Sequence, residues 1–182
     1  VMIDASSPTH DDPMFGLTIP NGPGELLIDS VSKIDGVTQV RMLRPSIMVV
    51  TTHIEGGPRP EESIETVNEE GAAAQREHVV KLRDAIWSLN GSENLRWLFI
   101  TDDDADLQAD GWRRKLLWQF FCRFDVARDL HFDENRSRLA WDATAPIPSN
   151  TGPHPVRRWP GVTLHDTEIE AKVDAWMKEN NL

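Results

Sequence analysis

Apolar positions change their spacing several times along this chain, and each change marks a predicted element. Gly36 to Leu43 (GVTQVRML) alternates apolar and polar residues and is rich in β-formers, which predicts a strand. Ile47 to Ile54 (IMVVTTHI) is instead a continuous, largely β-branched run, the pattern of a strand covered on both faces. Glu55-Gly56-Gly57-Pro58 ends it, and Pro60 with Glu61, Glu62 and Glu65 opens a helical stretch, its acids near the favourable end of the dipole. Val79, Leu82, Ile86 and Leu89 carry the helical period to a stop at Asn90-Gly91, and Gly71 leaves two alternatives open, one long helix or an interruption into two. Leu95 to Thr101 predicts a second buried strand. Gly111 to Phe121 predicts a helix, with Trp112, Leu116 and Phe120 on one stripe and Leu117 and Phe121 beside it. Short extended pieces follow at 127–132 and 139–141. A proline-rich crossing segment leads to a last helix over 166–180.

Strands separated by helices predict an α/β layer structure: a Rossmann-like domain with a mainly parallel sheet flanked by helices. Residues 1–35 are rich in Pro, Gly, Asp and Ser and read as an extended N-terminal arm or linker, with 36–182 as the folded domain. Met14, Phe15, Leu17 and Ile19 still give that arm something to bury. The chain opens on Val1 rather than Met, which leaves a longer parent chain open.

Composition narrows the partners. A formal charge of −11 argues against nucleic acid or an anionic membrane surface. No run approaches the ~20 apolar residues of a membrane span, and no signal peptide is visible. The single cysteine, Cys122, lies in the apolar run WQFFCRF and is expected to be buried; with no second thiol for an internal disulfide, a reducing, cytoplasmic setting is expected.

The densest candidate chemistry is the acidic loop after the third strand, Asp102, Asp103, Asp104 and Asp106. Carboxyl ends of strands are where open α/β sheets place ligands. An EF-hand would need Gly and Glu where Leu107 and Arg113 stand, so calcium of that kind is excluded. A haloacid-dehalogenase-like phosphatase could use Asp102 and Asp104, but its Thr is replaced by Asp106 and no later acidic pair follows a strand. The plain alternative is a solvated turn with Asp106 or Asp110 capping the next helix. Six histidines (10, 53, 78, 131, 154 and 165) show no zinc-binding spacing. His53, next to Glu55 at a strand end, is the best-placed catalytic candidate, against a satisfied histidine at a sheet edge. No P-loop or nucleophile-elbow motif occurs. Arg157-Arg158-Trp159 and Arg136-Ser137-Arg138 are the compact basic spots, suited to a phosphate or a partner's carboxylates, or to ordinary surface ion pairs. Trp87, Trp112 and Trp118 fall on helical faces, where core packing is the default.

Several motifs in order give the chain a resemblance over roughly residue 45 to its end. FITDDDAD is followed by LLWQFFCRFDVARDL, then by Ser137-Arg138-Leu139-Ala140-Trp141-Asp142-Ala143-Thr144, then by Trp159-Pro160-Gly161 and EIEAKVDAW. The series resembles the C-terminal domain of the UbiD family of decarboxylases, with Asp125-Val126 where the family often has Asp-Pro, Arg138 replacing a Lys, and Ala140 replacing a Gly. The resemblance implies an α/β domain paired in the whole enzyme with a larger flavin-binding domain or subunit. It implies reversible decarboxylation of aromatic or α,β-unsaturated acids with prenylated FMN, Mn2+ and K+, in a homo-oligomer. The family's catalytic Arg and two Glu belong to the larger domain. Glu25, Glu55 and Glu61 sit in no matching context, so no catalytic or metal-binding residue is expected here and no cofactor is expected to be held by this chain alone. Arg138 is the one residue the resemblance suggests on the cofactor side. Asp142 and Thr144 are expected to secure a turn. The implied role is oligomerisation and active-site closure. A stand-alone oligomerisation or binding module is the alternative.

Overall fold

The computed structural model describes residues 25–44, 46–55, 57, 66–135, 137–151, 155–156 and 167–180. Five strands form one sheet: β1 (Val37–Arg44), β2 (Ile47–Thr52), β3 (Trp97–Asp102), β4 (Leu130–Phe132) and β5 (Leu139–Asp142), in the order β1-β2-β3-β5-β4. The three central strands run parallel, with Val50 opposite Ile100 and Ile100 opposite Asp142. Both edges are antiparallel, β1 on β2 and β4 on β5. The expected α/β fold is therefore present, its parallel part confined to the centre.

The helices are α1 (Glu25–Val31), α2 (Glu69–Trp87), α3 (Trp112–Arg123) and α4 (Thr167–Glu179), with a 3-10 turn at Ser92–Asn94. Alternation along the central strands sorts the core into two layers. Met48, Val50, Leu98 and Ile100 pack against Val79, Leu82 and Ile86 of α2 and against Leu27 and Val31 of α1. Val49 and Phe99 point the other way, to Leu107 and to Trp112 and Leu116 of α3. That explains the unbroken apolar run of β2: both of its faces are covered.

Two expectations change, and one alternative left open is decided. Residues 25–31, read as part of the extended arm, form α1, because Leu27 and Val31 reach the core from one side of a helical turn; residues 1–24 lie outside the described residues. Gly71 does not divide α2. It sits in the first turn, donating its N–H to the Asn68 cap at 2.9 Å, where a Cβ would lie 2.4 Å from the Asn68 side chain. The helix ends at Trp87, ahead of Leu89 and the Asn90-Gly91 stop. The proposed helical start at Pro60 to Glu65 lies outside the described residues.

One polar lock joins the turn before β1, the end of β2 and the middle of α2. The Thr52 hydroxyl donates to the Gly36 carbonyl at 2.7 Å, so it accepts from His78 Nε2, also at 2.7 Å. The histidine thus carries its proton on Nε2, and burial lowers its pKa, favouring this neutral form. Gly36 has φ +86, and an added Cβ would meet the His78 ring at 2.8 Å. Among the described residues no helix is long and apolar enough to cross a membrane.

Candidate functional site

The site lies at the carboxyl end of β3, where the acidic loop meets one edge of α3. Lys115, Gln119 and Arg123 repeat every fourth residue, so they share a stripe. All three reach the loop. Lys115 Nζ donates to the Asp104 carbonyl, Gln119 Nε2 to Asp104 Oδ1 at 2.7 Å, and Arg123 Nη2 to Asp104 Oδ2 at 3.2 Å. Arg123 Nη1 also donates to Asp102 Oδ2 at 2.8 Å, and the same oxygen accepts from the Ala145 backbone N–H at 2.7 Å. Arg123 is 6% exposed, so its charge is held almost wholly by these two carboxylates. Burial pushes the Asp102 carboxyl up to about 7, although Arg123 and the Ala145 N–H pull it down; Asp104 and Asp142 add to the rise.

A second, half-buried group adjoins it on β5. Asp142 accepts from Thr144 through both the backbone N–H (2.9 Å) and the hydroxyl (2.6 Å), the turn expected of this pair. Burial pushes its carboxyl up to about 6. Burial also raises Asp129, which is forked by Arg128 and accepts from the Asp125 N–H at 2.7 Å. Asp129, Asp142, Arg128 and Thr144, with Gln75 and Ile147, line a cleft with about 20 Å³ of space for a water-sized group.

These contacts pin residues 143–151 across the end of the sheet. Asp102 holds Ala145 N, while Gln75 bonds Thr144, the Ala145 carbonyl and Ile147 N. Glu69, at the start of α2, accepts from the Ser149 and Thr151 hydroxyls and from Asn150 N, chiefly the hydroxyls lowering its pKa to about 2.

The acidic loop is therefore an ion-paired clamp, not a solvated cap. Neither Asp106 nor Asp110 caps α3: Gly111 occupies that position at φ 74 with no side-chain cap bond, and Asp106 accepts from Gln108 N and Gln39. The phosphatase reading fails on the same geometry. Its nucleophile would be Asp102, but that carboxylate is buried and already engaged by Arg123 and Ala145 N. His53 joins the outer rim, with Nδ1 at 3.0 Å from Asp103 Oδ2; both side chains are largely exposed. Glu55 is exposed beside it.

Arg138 is elsewhere. It precedes β5, at the opposite end of the strand from Asp142, where it pairs with Asp133 at 3.2 Å, donates to the Trp87 carbonyl at 3.1 Å and lies over the Trp87 ring. These contacts tie the β4–β5 hairpin to the end of α2. Arg136, Arg157, Arg158, Trp159, Glu61, His10, His154 and His165 lie outside the described residues, and Glu25 is described only as the first residue of α1.

Trp112, Leu116 and Phe120 form the buried stripe of α3 as expected. Leu117, Trp118, Phe121 and Cys122 are exposed, against expectation. The buried positions beside the stripe are taken by Gln119 and Arg123, whose partners lie inside. Arg123 is the residue the sequence reading missed. Its signal was a cation closing an apolar run, eight residues after Lys115 and four after Gln119.

The acids fit neither a flavin nor its metal. Among the described residues no group of three His, Cys, Asp or Glu converges on a cation position. Arg123 and Arg128 already answer the buried carboxylates, and the cleft is far below the ~300 Å³ at which cofactor pockets begin.

No family model matches the sequence, and no curated protein matches it. Solved structures do. The fold is similar to vanillic acid decarboxylase from Sedimentibacter hydroxybenzoicus in its closed form (TM-score 0.51, 13% identity), over 84% of this chain and 31% of that one. The open form with truncated ShVdcD gives 0.50 and 14%, over 86% of this chain and 32% of the other. A weaker likeness, TM-score 0.42 at 18% identity, over 72% of this chain and 26% of the other, is to an evolved dimeric form of the UbiD-class enzyme HmfF from Pelotomaculum thermopropionicum, in complex with prFMN. The chain thus spans about a third of the length of the decarboxylase chains it matches.

Proposed function

We propose that this chain is the C-terminal domain or a small subunit of a UbiD-like (de)carboxylase acting on aromatic or α,β-unsaturated carboxylic acids, contributing oligomerisation and active-site closure rather than catalytic residues. The observation that carries the reading is the pairing of motif order with fold. The FITDDDAD, RFDVARDL and SRLAWDAT segments resemble that family in sequence, and the domain they build is similar in fold to a third of a decarboxylase chain. The chemistry agrees with this division. Loss of CO2 leaves a carbanion-like centre that a cofactor must take up and a proton donor must quench. Prenylated FMN, Mn2+ and K+ accordingly belong to a larger flavin-binding partner, in a cytoplasmic homo-oligomer.

Within this chain, Arg123, Asp102 and Asp104 stiffen the sheet end, and the pinned 143–151 segment offers a rigid surface to the partner domain. Native mass spectrometry of the untagged protein from its source tests the proposal. A complex with a flavin-carrying polypeptide, or a parent chain of several hundred residues, is the expected result. A cofactor-free assembly of this chain alone overturns it. That outcome would leave the stand-alone oligomerisation module, which the bare apolar faces of α3 and α4 favour.

A further inference from the structure

The connections that leave β2 and β3 diverge at the carboxyl end of the sheet. After β2 the chain passes to α2, which packs on the face of Met48, Val50 and Ile100; after β3 it passes to α3, which packs on the opposite face, that of Val49 and Phe99. Adjacent parallel strands whose connections go to opposite faces leave a crevice between their carboxyl ends, and open α/β sheets place ligands there. His53 follows the last residue of β2 and Asp103 the last residue of β3. Their side chains meet across that crevice, Nδ1 at 3.0 Å from Oδ2.

The backbone beneath this pair is fixed. Thr52 and Ile54, on either side of His53, are buried, and the Asp103 N–H donates to the Thr52 carbonyl at 3.0 Å, extending the ladder between the strands. The side chains stay accessible, 63% exposed for His53 and 44% for Asp103. A carboxylate only accepts, so the imidazole proton lies on Nδ1 and the neutral ring turns a lone pair outward at Nε2. Among the described residues no group meets that nitrogen. Surrounding charge selects what can approach it. Asp103 and Glu55 are exposed carboxylates, which repel an anion. Arg123 is engaged by Asp102 and Asp104, Lys115 by the Asp104 carbonyl, and Lys81 on α2 by Glu77 at 2.6 Å. Arg76 lines the cleft beside Asp142, and His78 is turned to Thr52, its neutral form favoured by burial. A cation would seek the carboxylates directly, so the lone pair of Nε2 suits a neutral donor.

We infer that this crevice is a small-ligand site in which His53 Nε2 accepts the hydrogen bond of a neutral hydroxyl, from an alcohol or a phenol. Asp103 is the positioning residue that keeps the imidazole proton on Nδ1. The site goes beyond the decarboxylase reading and is read on this chain without flavin or turnover, so each stands or falls alone.

Nitrogen NMR of the full chain with labelled histidines tests it, in mildly alkaline buffer where an ordinary imidazole is neutral, with phenol as the probe. The expected spectrum places the His53 proton on Nδ1. Phenol shifts the Nε2 resonance saturably, whereas anisole, which has the same ring and no donor, does not. In Asp103→Asn the proton passes largely to Nε2 and phenol binding weakens at least about tenfold, a 1.4 kcal/mol change, with the amide spectrum otherwise preserved because residue 103 is exposed. The inference is overturned if the parent chain carries the His53 proton on Nε2, if phenol gives no saturable shift, if anisole shifts Nε2 as phenol does, or if Asp103→Asn binds phenol as tightly as the parent.

Discussion

Asp102 is one carboxylate with two obligations, a guanidinium on α3 and a backbone N–H in the crossing segment. Its pKa of about 7 stands above the ordinary 3.8 of an aspartate, so between these values the folded protein binds a proton that the unfolded chain has released. Stability contributed by this group is therefore full below about pH 4 and is lost as pH rises toward 7. Asp142, raised to about 6, adds to the same trend, whereas His78 and His131, depressed by burial, act in the opposite sense below their ordinary 6.5. Comparing Asp102→Asn with the parent chain cancels those other groups. The Tm difference should move in the variant's favour by several degrees between pH 4 and 7, at about 2–4 °C per kcal/mol for a domain of this size, and then stay level. A difference that does not change with pH would show that the carboxylate is held ionised throughout. Asp102 was visible in the sequence as part of an acidic run. Its partner was not, because Arg123 is separated from it by a loop and a whole helix.

At the scale of the element, α3 separates what a sequence stripe can and cannot say. Phe120 and Phe121 are adjacent and identical in chemistry, yet Phe120 packs against Phe124, Trp141 and Phe99 while Phe121 is exposed. Phe120→Ala should cost about 3–5 kcal/mol, as expected for emptying a packed aromatic site. Phe121→Ala should leave the unfolding free energy of the isolated chain within about 0.5 kcal/mol. Denaturant titration of both variants below the concentration of self-association checks the contrast. Periodicity found the Trp112–Leu116–Phe120 stripe because it repeats along the chain. It misassigned Leu117 and Phe121 because apolarity alone cannot reveal that Gln119 and Arg123 are drawn inward by the acidic loop. A buried polar pair outcompetes an apolar neighbour for the inner position when its partners are already inside.

For the whole molecule, stability should be distributed unevenly. Central strands β2 and β3 are covered on both faces, whereas residues 168, 169 and 171–179 of α4 are all exposed. In hydrogen exchange, amides of β2 and β3 should open only with global unfolding, and those of α4 by local fraying. Raising the concentration into the range of self-association should slow exchange in α4 and leave β2 and β3 unchanged. Equal protection of α4 at all concentrations would mean that it is covered within the single chain.

What the sequence determined by itself is local and periodic. The unbroken β-branched run made β2, the helical spacing made the core face of α2, and the motif order pointed to a decarboxylase-like domain. Tertiary structure decided the rest: that the end of the supposed arm is a helix, that the acids answer Arg123 instead of capping α3, and that Arg138 is taken up by Asp133 and Trp87. The reason is physical. Periodicity records which side of an element faces the core, a property set by neighbours three or four residues away. The partner of a buried charge depends on which strands lie side by side, and chain separation does not encode that.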